Sequence, residues 1–322
     1  MDKVEKIYKE VLSFCEKRGL IKKLEESFLI PESERFKQLN VSKEGLDVLD
    51  AVHCVYDKSR TKFFLDSIRQ NISKGDVVLE AGIGTGILSF CAASRGAKVY
   101  GCEINPEVFK LANAIRIHLE KKNLIPLGSV KFFLNDATVF VPSEKVDVII
   151  SENIYTGMFF EYQVQIMNHL IKFLNKGGIC IPQKLSSFIY FSETVFPRKP
   201  KHKELFIPSQ EKKEKISYKL LSDPYRYDEI DFTKVSDTSV RYSKSNSLKR
   251  GGLFNSFLIY SEVVMPDGCV IGKDDTTFLN NEIIIAVDPP IKFEKGDKVR
   301  LDIEYPHGGK PDDLSLSVKK VN

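Results

Sequence analysis

The sequence predicts an α/β fold: a mostly parallel sheet with helices on both faces, followed by a mainly antiparallel, barrel-like β region, with helices in front. Three observations carry this prediction. From Asp76 to Pro182, short apolar runs alternate with helical patterns: VVLEAG, ILSFCAASRG, KVYGCEI, PEVFKLANAIRIHLEKKN, VKFFLND and VDVIIS. Strand followed by helix, repeated, is the signature of a parallel sheet covered on both sides. After Gln183 the runs become alternating segments, FIYFSE, FLIYSEVVM, NEIIIAV and KVRLDIEY, separated by turn residues such as PDG and KGD, which read as antiparallel strands of a barrel or sandwich. Ahead of both, Val4, Ile7, Tyr8, Val11, Leu12 and Cys15 fall at helical spacing before Gly19. That amphipathic stripe needs a partner: the main body, a ligand site it caps, or a dimer contact.

A chain of 322 residues exceeds what a single core usually serves, about 250 to 300 residues. The pattern divides it into a helical segment at 1–50, an α/β domain at 51–182 and a β-rich domain at 183–322. Within the α/β part, Tyr162, Val164, Ile166, Met167, Leu170, Ile171 and Leu174 predict a helix stopped by Gly177 and Gly178, after which GICIP forms a short strand closed by Pro182. With 42% hydrophobic and 29% charged residues the chain has the composition of a globular protein. A net charge of +4, from 48 basic and 44 acidic residues, is too balanced to imply nucleic-acid binding by itself. Two basic stretches, PRKPKHKE from Pro197 and EKKEK from Glu211, lack interleaved stacking aromatics and read as solvated loops. The six cysteines show neither a CxxC pair nor a metal-ligand spacing, so reduced thiols and no metal are expected. No segment has the length or apolarity of a secretory or membrane-spanning element, which predicts a cytoplasmic protein without a membrane partner.

The chemistry begins at VVLEAGIGTGILS. Val77, Val78 and Leu79 read as a buried strand, and Gly82, Gly84 and Gly86 as a tight turn in which main chain approaches a ligand without Cβ obstruction. Glu103, at the end of the next strand, is placed to accept hydrogen bonds from two ribose hydroxyls. The glycines are spaced GxGxG rather than the GxGxxG of dinucleotide loops, and an acid, Glu80, stands just before them. A diphosphate would be repelled by that acid, whereas the cationic amino-acid end of S-adenosylmethionine suits it.

EAGIGTGILS followed by AKVYGCEIN resembles the class I S-adenosylmethionine-dependent methyltransferases, with their Rossmann-like sheet, and looks most like the protein arginine methyltransferases. The resemblance runs from about His53 to the end, close in the cofactor half and faint in the β half. It implies that Arg60, in DKSRTKFF, contacts the carboxylate of the cofactor. Asp136, in FFLND, stands where this fold places a polar group near the adenine, and it reads equally as a turn or cap aspartate.

After the fourth strand comes SENIYTGMFFE, with Glu152 and Glu161 nine positions apart. Ligands of open α/β sheets bind at the carboxyl ends of the strands, which places Glu152 toward the cofactor. The stretch is similar to the family's double-glutamate loop, which grips the substrate guanidinium. Two carboxylates on the non-reacting N–H groups would hold positive charge away from the attacking nitrogen and aim it at the methyl group. Alternatively Glu161 caps the helix that starts near Tyr162. The sequence departs from the family at Asn153, where the family has tryptophan, and at Leu279 and Asn280, where it has histidine and tryptophan beside the site; the chain holds no tryptophan, and none of its five histidines (53, 118, 169, 202, 307) is a substitute by position. The expected function is S-adenosylmethionine-dependent N-methylation of a protein side chain, arginine-like, by a monomer or homodimer. The alternatives are an RNA or small-molecule acceptor, or a scaffold without catalysis.

Overall fold

A computed structural model describes residues 2–27, 45–207, 216–276 and 282–321. Four helices lead. α1 (Lys3–Lys17) starts where the Asp2 side chain accepts the Val4 amide, and it buries Val4, Ile7, Tyr8, Val11 and Cys15, the stripe expected from its spacing. α2 (Leu20–Ser27), α3 (Val48–Tyr56) and α4 (Lys58–Asn71) follow. Asp47 and Asp57 cap α3 and α4 by accepting amides of their first turns, which supplies donors that a helix start otherwise leaves unpaired.

The parallel sheet comprises β1 (Val77–Ala81), β2 (Lys98–Glu103), β3 (Val130–Leu134), β4 (Val146–Ser151) and β5 (Leu174–Ile181), in the order β3-β2-β1-β4-β5. Between the strands run α5 (Ile87–Ser94), α6 (Pro106–Lys121) and α7 (Gln163–Leu170). The strand order reverses between β1 and β4, and a crevice opens at such a switch point beyond the strand ends. Ala81, Glu103 and Ser151 stand at those ends. α5 is buried on nearly every side because it lies between the sheet and α1, which explains its nearly uninterrupted apolar sequence.

One predicted element differs. The helix containing Tyr162 to Leu174 stops at Leu170; a 3-10 turn covers Ile171–Phe173, and β5 already begins at Leu174. Gly177 and Gly178 lie inside that strand. Pairing with β4 jumps from Val146–Leu174 to Val148–Ile179, so the intervening residues form a wide bulge. A Cβ on Gly178 would sit 2.7 Å from the Asp147 carbonyl oxygen. Gly178 thus serves close approach within the sheet and Gly177 a left-handed backbone at φ 82°, rather than a helix stop, and helical spacing alone does not distinguish these.

The β half contains β6 (Lys184–Val195), β7 (Leu205–Phe206), β8 (Ser217–Leu220), β9 (Tyr225–Asp231), β10 (Ser239–Ser247), β11 (Gly252–Val264), β12 (Val270–Ile271), β13 (Ile283–Phe293), β14 (Lys298–Pro306) and β15 (Ser315–Val321). β7, β13, β11, β6 and β8 form a curled antiparallel sheet, with β9 also on β6 and β12 on β11; β10, β14 and β15 form a second sheet. Among the described residues the two sheets do not pair with each other, and the region is a half-barrel, in keeping with the mainly antiparallel, barrel-like region that the alternating segments predict. PDG turns β11 into β12, and KGD joins β13 to β14.

Three apolar clusters form among the described residues. One surrounds the parallel sheet and includes α1 and α2; a second, with Phe191, Phe254, Phe257, Phe293 and Tyr305, fills the half-barrel; a small third, with Phe206, Leu258 and Ile284, lies apart from both. Phe159, from the loop after β4, belongs to the second core and stacks on Tyr305 with ring centroids 4.5 Å apart. In the basic stretch from Pro197, Arg198 pairs with Glu204 and the Lys203 ammonium donates to the Leu314 carbonyl. The EKKEK stretch and Leu279 and Asn280 lie outside the described residues. Among the described residues all six cysteines are free, no helix is long and apolar enough to cross a membrane, and no group of three or more metal-ligating side chains converges.

Candidate active site

Beyond the ends of β1, β2 and β4 lies a cavity of about 350 Å³. Its walls include Arg60, Glu80, Gly82, Gly84, Glu103, Asp136, Glu152 and Glu161. All the predicted site residues except Gly86 therefore meet in one place. Gly86 instead starts α5 at φ 83°, where a Cβ would sit 2.6 Å from the Phe90 ring; it lets the helix begin close against the sheet.

Each of the other glycines has a local reason. Gly82, at φ 72°, abuts Asn153, whose Oδ1 lies 2.4 Å from where a Cβ would be. Gly84, at φ 53°, has only the Ala51 methyl within reach of its missing Cβ, and its amide donates to Glu103 Oε2 at 3.1 Å. The second oxygen of Glu103 accepts the amides of Ile104 and Asn105, each at 3.0 Å. Burial pushes the Glu103 carboxyl up, and these three amides oppose that rise.

Glu80 is buried beneath the glycine loop. Its Oε2 accepts the Ser89 amide at 2.8 Å and also the Ser89 hydroxyl. Burial nevertheless pushes its carboxyl up to about 8. Asp136 accepts both the amide of Thr138, at 2.8 Å, and its hydroxyl, at 2.7 Å; its carboxylate is thus a turn cap that also faces the cavity.

Arg60 is only 4% exposed, which sets it apart from a solvated helix arginine. Its guanidinium pairs with Glu152 through Nη2 and donates from Nη1 to the Cys54 carbonyl at 3.1 Å. Among the described residues, its Nε and the Thr85 hydroxyl are buried without a hydrogen-bond partner, and both residues line the cavity.

The loop from Glu152 to Glu161 is held at both ends. Gln163, in the first turn of α7, accepts the Asn153 amide at 3.0 Å and the Ser151 hydroxyl at 2.8 Å, and donates to the Ser151 carbonyl at 2.7 Å. Asn153 donates to the Ala81 carbonyl at 3.0 Å. This knot joins the ends of β1 and β4 to α7 and fixes the backbone on both sides of Glu152. Farther along, Gly157, Met158 and Phe160 take φ of 67°, 55° and 64°. For the two with side chains this costs roughly 1 to 2 kcal/mol each, so the surroundings must impose it. They include the Ser261 hydroxyl, which accepts the Gly157 amide at 2.9 Å, and the Tyr305 hydroxyl, which donates to its carbonyl at 2.6 Å.

Glu161 does not cap α7: the N-cap position is Tyr162, and no side chain caps the helix there. Its carboxyl faces the cavity and is pushed up to about 7, by burial first and then by the charges of Asp50 and Glu103. Among the described residues lining the cavity, five carboxylates face one cation, Arg60. Such a site is built for cationic ligands.

The Ser89 support, the Gln163 knot and the Thr85 hydroxyl were not singled out from sequence. Ser and Gln at those positions carry no periodicity or spacing that marks them.

Comparison with known proteins gives this cavity a context. Residues 72–225 match the family model of a methyltransferase domain. That stretch is similar to a methyltransferase domain. An uncharacterised protein of Methanocaldococcus jannaschii is 26% identical over 264 residues, covering 81% of this chain and 93% of that protein. Protein arginine N-methyltransferase 1 of Dictyostelium discoideum is 27% identical over 265 residues, 79% of this chain and 67% of that protein. Among solved structures, the Trypanosoma brucei PRMT1 enzyme–prozyme heterotetrameric complex with AdoHcy matches with a TM-score of 0.64 at 16% identity, covering 83% of this chain and 90% of that one. Arabidopsis thaliana protein arginine methyltransferase 10 matches at 0.61, also 16% identical, over 83% and 96%. The α/β part and the half-barrel after it together share the fold of these arginine methyltransferases, as the glycine loop and the double-glutamate stretch led one to expect.

Proposed function

We propose that the chain is an S-adenosylmethionine-dependent methyltransferase that N-methylates a guanidinium, in a protein arginine. The observation that carries this reading is that Glu152 and Glu161 face the same cavity as Glu103 and the glycine loop.

The residues present fit the cofactor. The Thr85 hydroxyl and Arg60 Nε are buried donors without partners in a cavity otherwise rich in carboxylates, which suits the carboxylate of an amino acid. Glu103 would hold the ribose hydroxyls, Asp136 and the Ala137 amide would flank the adenine, and Gly82 and Gly84 leave room for the amino-acid portion. When bound, S-adenosylmethionine supplies an electrophilic methyl group on a sulfonium.

Glu152 and Glu161 then act on the acceptor. A guanidinium has five N–H donors in a fixed fork and a lone pair that delocalisation normally withholds. Two carboxylates that accept from the non-reacting nitrogens concentrate positive charge there and orient the third. Transfer leaves one extra proton on the methylated nitrogen. Glu161, pushed up to about 7 by burial, has the proton affinity to take it. A polyanionic acceptor such as RNA is disfavoured by the five carboxylates that line the cavity.

The test is methyl-labelled S-adenosylmethionine with purified protein and a cell lysate, the products split by protease and nuclease. The reading expects label that protease releases and that runs with methylarginine after acid hydrolysis. Label released by nuclease, or none with a cofactor that binds, would refute it.

A further inference from the structure

We propose that His307 is a positioning residue for Glu161, fixing that carboxylate through the backbone next to it; this rests on the acceptor role given to Glu161 above. His307 follows the last residue of β14, is 3% exposed and does not line the cavity. Its ring is held on both sides. Nδ1 lies 3.1 Å from the Asp237 carbonyl oxygen and Nε2 lies 2.9 Å from Asp228 Oδ2. The ring thus bridges a carboxyl group on β9 and a main-chain carbonyl. The His307 amide also donates to the Thr238 carbonyl at 2.9 Å. The ring thereby locks the end of β14 to β9 and to the β9–β10 connection.

What this lock holds is the second half of the double-glutamate loop. The Gly308 amide donates to the Met158 carbonyl at 2.8 Å, and the Gly309 carbonyl accepts the Phe160 amide at 2.9 Å. On the far side of Glu161, Gln165 Nε2 donates to the His307 carbonyl at 2.6 Å. Gly308, at φ 79°, leaves space where a Cβ would lie 3.0 Å from the Tyr162 ring and 3.3 Å from the Glu161 carbonyl oxygen. Residues 158, 160, 162 and 165 all rest on the stretch 307–309. Met158 and Phe160 are the two left-handed residues of the loop that carry side chains, so the backbone just before Glu161 takes its unusual path against a template that the His307 ring fixes.

Three variants test this: Asp228→Asn, which keeps the size and removes the charge; His307→Gln, which keeps one donor; and His307→Leu, which keeps none. The readouts are the calorimetric Kd for S-adenosylhomocysteine, kcat and KM on an arginine-rich peptide, and the hydrogen-exchange rate of the Phe160 amide. Misplacing the carboxylate should lower kcat by about 10-fold or more, with His307→Leu the most affected and His307→Gln between it and the wild type. Phe160 exchange should accelerate in the same order, while the Kd stays within about threefold of the wild type. Unchanged kcat and unchanged Phe160 exchange would overturn the assignment, as would a fall in kcat matched by equal losses of cofactor affinity and of global protection. A wild type that methylates no arginine peptide but binds the cofactor refutes the acceptor reading instead. In that case Phe160 exchange alone decides, acceleration supporting the lock and no change overturning it.

Discussion

Two carboxyls, Glu80 at about 8 and Glu161 at about 7, are the residues on which pH acts most directly. Both lie above the ordinary 4.5 because burial disfavours the charged form. The folded protein therefore holds protons that the unfolded chain releases, and the associated stability is fully present below about 4.5 and lost as pH rises through about 7 and 8. Thermal melts of the ligand-free protein should show a midpoint that falls between pH 5 and pH 9; a midpoint that rises over this range would contradict the burial argument. Gly82 makes a separate case. An alanine there meets Asn153 and adopts a strained φ, so Gly82→Ala should destabilise by roughly 1 to 3 kcal/mol in denaturant titration and weaken cofactor binding. Glu152→Gln is less clean than it looks, since it strips a buried Arg60 of its carboxylate partner, and breaking such a pair costs about 3 to 5 kcal/mol. Glu161, which has no ion pair among the described residues, is the better probe of the acceptor site.

At the scale of elements, the loop from β4 to α7 carries the site, and it rests on polar contacts rather than on packing alone. Gln163→Leu would remove the side chain that the Ser151 carbonyl and the Asn153 amide bond to, leaving the Ser151 hydroxyl only the Asn153 Nδ2 donor. Buried groups left unsatisfied cost about 1 to 3 kcal/mol each, so the variant should lose methyl transfer before it unfolds, as judged by activity against circular dichroism at one temperature. What the sequence made legible here was which residues line the cavity. Glu152, Glu161, Glu103, Gly82 and Gly84 were expected at the strand ends and are found around it, whereas Gly86 is not. What it did not make legible was support. Ser89 and Gln163 act through partners that become neighbours only when the sheet forms, and the Thr85 hydroxyl matters only through the cavity that the folded chain builds around it. The bulge at Gly177 and Gly178 was hidden for a similar reason, because the close approach to Asp147 that demands glycine is a tertiary contact.

Over the whole molecule, the α/β order and the antiparallel half were readable because hydrophobic period changes from one to the other near Gln183. Openness of the half-barrel was not readable, since alternation reports which face is buried and not whether the edge strands meet. The charge of the molecule divides in the same way. A net +4 hides a cavity in which five carboxylates face a single arginine. That contrast predicts a cationic acceptor whose KM rises with ionic strength, measured on an arginine-rich peptide from low to high salt; a KM independent of salt would count against acceptor binding by charge.

The most direct test of the central claim compares the wild type with Glu161→Gln in methyl transfer to an arginine-rich peptide and to its lysine-substituted counterpart, with S-adenosylhomocysteine affinity measured in parallel. The account predicts methylarginine from the wild type, little transfer to lysine, and a loss of about 100-fold or more in kcat for Glu161→Gln at nearly unchanged cofactor affinity. Equal transfer to both peptides, or a Glu161→Gln protein as active as the wild type, would contradict it.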